Sequence, residues 1–156
     1  MTYLILRLHD ETFAIDAEVV RSIVERIPVT DVPGAPLAAS GLINVRGRIV
    51  PLADLRVIFD LPRPEPDENT RFVVLEIDVA GEQIAIAIIA DKVVGVGEFE
   101  AADMLPPPNS GMRWPTEYVR GVFVREDDFI IIPSLEAIFN AIESAGSFIE
   151  KERVLP

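Results

Sequence analysis

Short alternating runs of apolar and polar residues dominate the chain and predict a protein built mainly of β-strands. In one such run Ile84, Ile86 and Ile88 share a face, while the small Ala85 and Ala87 occupy the other. Gly and Pro residues separate the runs, as is typical of turns between short strands. The predicted strands are 3–8, 13–15, 23–24, a hairpin over 41–52, 71–79, 82–90, 93–99, and a second hairpin formed by 119–124 and 129–132.

Helical spacing is much rarer than strand spacing. Ser134 can cap a helix with an apolar stripe at i, i+3, i+4 and i+7, and Asp54 can cap a shorter helical turn that reaches Phe59. Many short strands with one terminal helix predict an all-β fold class of closed or sandwiched small barrels. The stripe of the longer helix consists of Leu135, Ile138, Phe139 and Ile142.

A proline-rich acidic stretch divides the chain. With 156 residues we expect one domain, or two small halves that share a core. Pro62, Pro64 and Pro66 mark the expected seam between the halves, and no internal repeat is evident in the sequence.

Composition narrows the classes of partner. The net charge of -12 repels nucleic-acid phosphates and anionic lipid head groups, so we expect neither nucleic acid nor membrane insertion. The chain has no cysteine and a single histidine, so we expect no metal and no cofactor. No apolar run reaches the roughly 18 residues of a membrane helix. The first residues lack the basic region of a signal peptide, which favours a cytoplasmic location.

Catalytic motifs are missing as well. The one histidine, His9, is interpreted as a strand-end surface residue, and the sequence holds no nucleophile elbow, P-loop or complete dinucleotide motif. We therefore predict no catalytic residues and no enzymatic activity. The remaining enzyme alternative is a small acidic hydrolase that uses two carboxylates. The candidate carboxylates are Asp54, Asp78, Asp91 and Asp103.

A predicted hairpin turn at Arg46-Gly47-Arg48 holds two guanidinium groups at a fixed place on an acidic protein. Gly47 can adopt the positive φ that many hairpin turns require. An apolar groove with such a charged rim would suit the apolar face of a partner helix, although a solvated Arg46 without function is the alternative. The groove could be lined by Val20, Val29, Ile43, Ile49 and Val96.

Segment 41–56 reads Gly-Leu-Ile-Asn-Val-Arg-Gly-Arg-Ile-Val-Pro-Leu-Ala-Asp-Leu-Arg and resembles the signature of the CheW family of chemotaxis coupling proteins. The resemblance runs from Tyr3 to about Ile142. It implies two small five-stranded SH3-like β-barrels that share one hydrophobic core, with a C-terminal helix. It also implies a single domain over 1–143 with two intertwined barrels and a seam near 60–70. Disorder is one interpretation of the remaining tail, 144–156.

The resemblance further implies a function. CheW proteins are non-enzymatic adaptors that couple the cytoplasmic tips of chemoreceptors to the regulatory domain of the histidine kinase CheA. They do so in the cytoplasm, at receptor arrays on the inner membrane. An interaction module of another two-component pathway, such as twitching or development, remains the alternative.

The resemblance also assigns residues. Arg46 would be the centre of the receptor-binding groove, and Gly47 would be the structural residue of its hairpin. Family members often carry a Glu where this chain has Ser22. The internal partner of Arg46 would therefore be Ser22 or Glu25, or would be absent. The groove as a whole would consist of Val20, Val29, Gly41, Arg46, Ile49 and Val96.

Overall fold

The computed structural model describes residues 1–39, 41–107 and 115–146, and arranges their strands in two sheets. The regular elements confirm the predicted mainly-β fold with a C-terminal helix. Residues 147–156 of the predicted tail lie outside the described residues. The elements are β1 (Thr2–Leu8), β2 (Glu11–Asp16), β3 (Val20–Glu25), β4 (Thr30–Asp31), β5 (Gly41–Val45), β6 (Arg48–Ala53), α1 (Leu55–Ile58), β7 (Arg71–Val79), β8 (Glu82–Ala90), β9 (Lys92–Glu98), β10 (Val119–Arg125), β11 (Asp128–Pro133) and α2 (Leu135–Gly146).

The two sheets have matching strand orders. One sheet has five strands in the order β10-β11-β2-β1-β9, and the other has six in the order β3-β7-β8-β6-β5-β4. Five strands were expected in each. The sixth strand is the two-residue β4, whose Thr30 pairs with Leu42 of β5. In the five-stranded sheet a single bridge between Leu105 and Val122 takes the equivalent place.

The two halves of the chain repeat one another in structure, although no internal repeat is evident in the sequence. The hairpin β5–β6 with α1 and the hairpin β10–β11 with α2 recur at a constant offset, which relates Gly41 to Gly121 and Phe59 to Phe139. In each half the second strand of the hairpin pairs in parallel with a strand from an earlier or later hairpin, β8 or β2. The repeat is hard to see in the sequence because the two halves share the pattern of burial more than residue identity.

Alternating side chains on the same strands separate three hydrophobic clusters. On β8 Ile84, Ile86 and Ile88 enter the largest cluster, which lies between the sheets, while Ala85 and Ala87 enter the cluster enclosed by the six-stranded sheet. The third cluster, around Tyr3 and Phe123, is enclosed by the five-stranded sheet. The small alanines suit the narrow interior of a small barrel. Each sheet therefore has its own core, and the two share a third.

Helix α2 covers the shared core. Ile138, Phe139 and Ile142 are at most 3% exposed and belong to the cluster between the sheets, as the helical stripe predicts. Burial of each such side chain contributes about 1.5–3 kcal/mol. Residues 62–69, around the predicted seam, are exposed and contain no strand or helix. The division of 1–143 into one domain with a seam at 60–70 stays a prediction.

Candidate functional site

The β5–β6 hairpin carries the cationic turn on a rigid frame. Arg46 and Gly47 form the two-residue turn, with φ values of 53° and 85°. Two consecutive positive φ values define a type I′ turn, whose twist matches that of the flanking strands. The side-chain oxygen of Asn44 accepts a hydrogen bond of 2.8 Å from the Gly47 amide. The turn therefore projects the exposed Arg46 guanidinium from a fixed position.

Exposed apolar side chains lie at both ends of this hairpin: Ile49 stands opposite Asn44 beside the turn, and Val29 packs over Gly41 at the other end of β5. Ile49 is 55% exposed and Val29 is 42% exposed, so both present apolar area to a partner. Gly41 is buried beneath Val29, and a Cβ on Gly41 would lie only 2.7 Å from Cγ1 of Val29. A glycine at position 41 therefore lets Val29 sit close to β5, which brings these two predicted site residues together.

Ile43, also predicted to line the groove, is wrong as a surface residue, because it is 1% exposed and packs in the core enclosed by the six-stranded sheet. Val20 and Val96 lie on strands outside the hairpin. Val20 begins β3, is half-buried and packs against the shared core, opposite Leu75 of β7. Val96 lies on β9, the edge strand of the five-stranded sheet, and is 69% exposed. A surface that includes all six predicted residues therefore extends over both sheets.

Neither proposed internal partner is bonded to Arg46. Within residues 1–39, 41–107 and 115–146, no hydrogen bond or ion pair joins the Arg46 side chain to Ser22 or Glu25. Ser22 lies in β3 opposite Val74, and Glu25 is exposed at the end of that strand. The exposed guanidinium is thus available to an external acceptor.

A buried ion network near the site was not recognised from the sequence. Arg56 is only 4% exposed. Its Nε and Nη2 donate to the two carboxylate oxygens of Asp54, each at 2.9 Å, and its Nη1 donates to Asp91 Oδ1 at 2.7 Å. Asp91 Oδ2 also accepts from the backbone amide of His9 at 2.6 Å. Asp54 was predicted to cap a helical turn, and Asp91 was named only as a candidate carboxylate. The cap is confirmed, because Asp54 Oδ1 accepts from the Arg56 amide.

Opposing effects act on the Arg56 guanidinium. Burial by itself lowers the pKa of Arg56, but the hydrogen bonds and negative charges of Asp54 and Asp91 outweigh it and raise the pKa above its ordinary value. Arg56 therefore stays charged, and its fork geometry lets it bond two carboxylates at once. A signal for this network existed in the Asp-x-Arg spacing, whereas the contribution of Asp91 depends on the tertiary fold.

Carboxylates also gather in a cleft on the opposite side of the shared core. A cleft of about 380 Å³ lies between β2, β7 and the start of α2. Of the carboxylates named for the acidic-hydrolase alternative Asp78 lies here, whereas Asp54 and Asp91 are bonded to Arg56. Among the described residues no group of three or more acidic or histidine side chains is arranged to hold a metal ion. The carboxylates that line the cleft are Asp16, Glu76, Asp78 and Glu136.

Two small barrels with a shared core and an exposed cationic hairpin define a class of two-barrel β-proteins. A family model described as "CheW-like domain" matches residues 2–143, and the chain belongs to this family. The resemblance inferred from segment 41–56 is therefore confirmed.

Individual relatives agree with this assignment. The chain is 32% identical to "Chemotaxis protein CheW" of Klebsiella aerogenes over 143 residues, which is 92% of this chain and 84% of the relative. It is 31% identical to the protein of the same name from Bacillus subtilis over 144 residues, 92% of this chain and 90% of the relative. The scaffolding protein TtCheW from Thermoanaerobacter tengcongensis has the same fold, with a TM-score of 0.78, 26% identity and coverage of 88% of this chain and 86% of that one. Within the described residues, no helix has the length and apolar character needed to cross a membrane.

Proposed function

We propose that this protein is a non-enzymatic adaptor that couples the cytoplasmic tip of a chemoreceptor to the regulatory domain of the histidine kinase CheA. The observation that carries the proposal is the exposed Arg46 hairpin in a chain that matches the CheW-like domain over residues 2–143. The adaptor acts in the cytoplasm and is recruited to receptor arrays at the inner membrane.

The proposed receptor surface combines exposed apolar side chains with one cation. Ile49, Val29 and Val96 present apolar area that a helical receptor hairpin can cover, and Gly41 keeps Val29 close to β5. Arg46 donates from the rim to a carbonyl or carboxylate of the receptor. Val20 supports the floor from β3. Isolated exposed apolar residues need no explanation, so the proposal rests on their combination with the rigid Arg46 turn, beside which Ile49 lies.

A second candidate function is an adaptor of another two-component pathway. The similarity to "Protein FrzA" of Myxococcus xanthus supports it, at 29% identity over 105 residues, 67% of this chain and 63% of the relative. The two candidates differ in the partner and not in the kind of activity. Capture of the kinase without any chemoreceptor would favour the second candidate.

Substitution of Arg46 tests the proposal while preserving the turn. Asn tolerates the positive φ of 53° at this position, so Arg46→Asn removes the guanidinium without adding backbone strain. We expect the affinity for the cytoplasmic fragment of a chemoreceptor from the same organism to fall by about thirtyfold, as for a hot spot of about 2 kcal/mol. Affinity is measured by titration calorimetry, together with pull-down of the CheA regulatory domain.

The matched control is Arg48→Gln, which removes the neighbouring exposed guanidinium of the same hairpin. We expect it to bind both partners nearly as the parent protein does. Equal binding by the parent and Arg46→Asn would refute the role of Arg46. Failure of the parent to bind either partner would refute the adaptor function itself.

A further inference from the structure

The Arg56 network joins segments that belong to different sheets. Asp54 and Arg56 follow β6 of the six-stranded sheet, and Asp91 stands where the chain passes from β8 of that sheet to β9 of the other. Asp91 also accepts from the His9 amide and donates its own amide to the Arg7 carbonyl at 3.0 Å, both at the β1–β2 end of the five-stranded sheet. Through its carboxylate and its backbone amide, Asp91 therefore joins the start of α1, the β8–β9 junction and the β1–β2 turn.

We infer that Asp54, Arg56 and Asp91 form a positioning device that sets the alignment of β9 against the β5–β6 hairpin. The receptor surface proposed above needs this alignment, because Val96 lies on β9 whereas Arg46 and Ile49 lie on the hairpin. In its consequence for binding, the inference rests on the proposed function. None of the three network residues touches the partner, since Arg56 is 4% exposed and the two carboxylate side chains are each 19% exposed.

The internal repeat shows that this device is not an obligatory part of the fold. In the other half Ser134 stands at the place of Asp54, and Glu136 stands at the place of Arg56. Among the described residues Glu136 forms no ion pair, and the open cleft of about 380 Å³ lies beside it. The same arrangement of hairpin and helix thus exists in one half with a buried ion network and in the other half with an open cleft. β9 starts directly after Asp91, a member of the buried ion network.

Because a β-strand is extended, a small rotation of β9 at Asp91 displaces Val96 further along the strand. Val96 lies five residues along the chain from Asp91, which at about 3.3 Å per residue places it about 16 Å away. A tilt of about 10° at Asp91 would move Val96 by about 3 Å over that length. β9 is an edge strand held by β1 alone within its sheet, so the anchor at Asp91, immediately before its first residue, restrains such a tilt.

Spin-label distances test the alignment directly, and the absence of cysteine makes the labelling clean. One label pair, Arg48→Cys with Val94→Cys, spans the two sheets, and a control pair, Arg48→Cys with Gln83→Cys, lies within the six-stranded sheet. Each pair is measured by double electron–electron resonance in the parent and in the variant Arg56→Met/Asp91→Asn.

We expect the variant to broaden the distance distribution of the pair that spans the sheets and to leave the control pair unchanged. A role in stability alone would lower the melting temperature without changing either distribution in the folded protein. An unchanged distribution for both pairs overturns the inference. Glu136→Met, at the equivalent position of the other half, is the matched control and should change neither pair. If the double variant does not fold, Arg56→Lys is used, because it keeps the charge but cannot bond both carboxylates.

Binding provides the second readout. We expect Arg56→Met/Asp91→Asn to bind the chemoreceptor cytoplasmic fragment about tenfold more weakly than the parent, although neither residue belongs to the docking surface. Parent-like binding by a variant with a broadened distribution overturns the link between alignment and binding. Failure of the parent protein to bind the fragment counts against the proposed function, while the distances still decide whether the network sets the alignment.

Discussion

Removal of the Arg56 guanidinium should be one of the most costly single changes in this protein. Arg56→Met keeps a long apolar side chain but removes three charge-assisted hydrogen bonds, of 2.9, 2.9 and 2.7 Å. It leaves Asp54 and Asp91 without their cation. Breaking a buried ion pair by removing one partner costs about 3–5 kcal/mol, mainly because the remaining charge stays desolvated.

The structure places the expected loss at the lower end of this range. Each carboxylate side chain is 19% exposed, so water can take over part of the lost interaction. We therefore expect a loss of about 3 kcal/mol in the free energy of unfolding, which for a domain of this size lowers the melting temperature by about 6–12 °C. Urea denaturation followed by far-ultraviolet circular dichroism measures the free energy, and thermal scans measure the melting temperature.

The control and the pH dependence sharpen this prediction. Arg48→Met removes an exposed guanidinium and should change stability by no more than about 0.5 kcal/mol. The pKa of Arg56 is raised in the folded state, so its contribution is present below the ordinary arginine pKa and is lost only as the pH rises through the raised value. The cost of Arg56→Met should therefore be constant from neutral to moderately alkaline pH. A loss below about 1 kcal/mol in a folded variant would refute the reasoning.

Two further predictions concern backbone positions in the equivalent hairpins. Gly41→Ala should weaken receptor binding several-fold in calorimetry with the fold retained, because the new Cβ would lie 2.7 Å from Val29 and displace that side chain; unchanged binding would contradict the contact. Glu126 and Asp127 form a two-residue turn with φ values of 50° and 68° and no glycine. The replacement Glu126→Asn/Asp127→Gly supplies residues that favour this turn and should stabilise the protein by about 1 kcal/mol in urea denaturation, whereas a loss of stability would argue against a type I′ turn.

The strands and helices that could be predicted from the sequence depend on interactions between residues close along the chain. The alternation along β8 identified a strand and assigned its isoleucines and alanines to different faces before any partner strand was known. Gly47 and the flanking apolar runs predicted the hairpin, since turn chemistry and strand periodicity act over a few residues. The stripe of α2 and the cap at Asp54 are equally local. The long match of segment 41–56 to one family then linked these elements to a two-barrel fold.

The arrangement of the site residues could be predicted less well from the sequence. Arg46 was predicted to be a cation held on a hairpin turn, but its positive φ was not predicted, because that φ results from the two-residue turn closed by Asn44. Val96 and Ile49 were predicted to line one groove, but it was not predicted that this groove would extend over two sheets. Whether such residues align depends on how two sheets pack, and packing depends on the complementarity of many side chains at once.

By itself, the sequence determined the strands, the hairpin with its exposed cation and the capped C-terminal helix, because each follows from interactions between residues close along the chain. Only the tertiary structure decided that Arg56 is a buried cation shared by Asp54 and Asp91, and that the two halves of the chain repeat one another. Asp91 is separated from Arg56 by two long strands, so no local rule brings them together. Their pairing exists because folding removes both from water, and a desolvated charge is stable only where an opposite charge meets it.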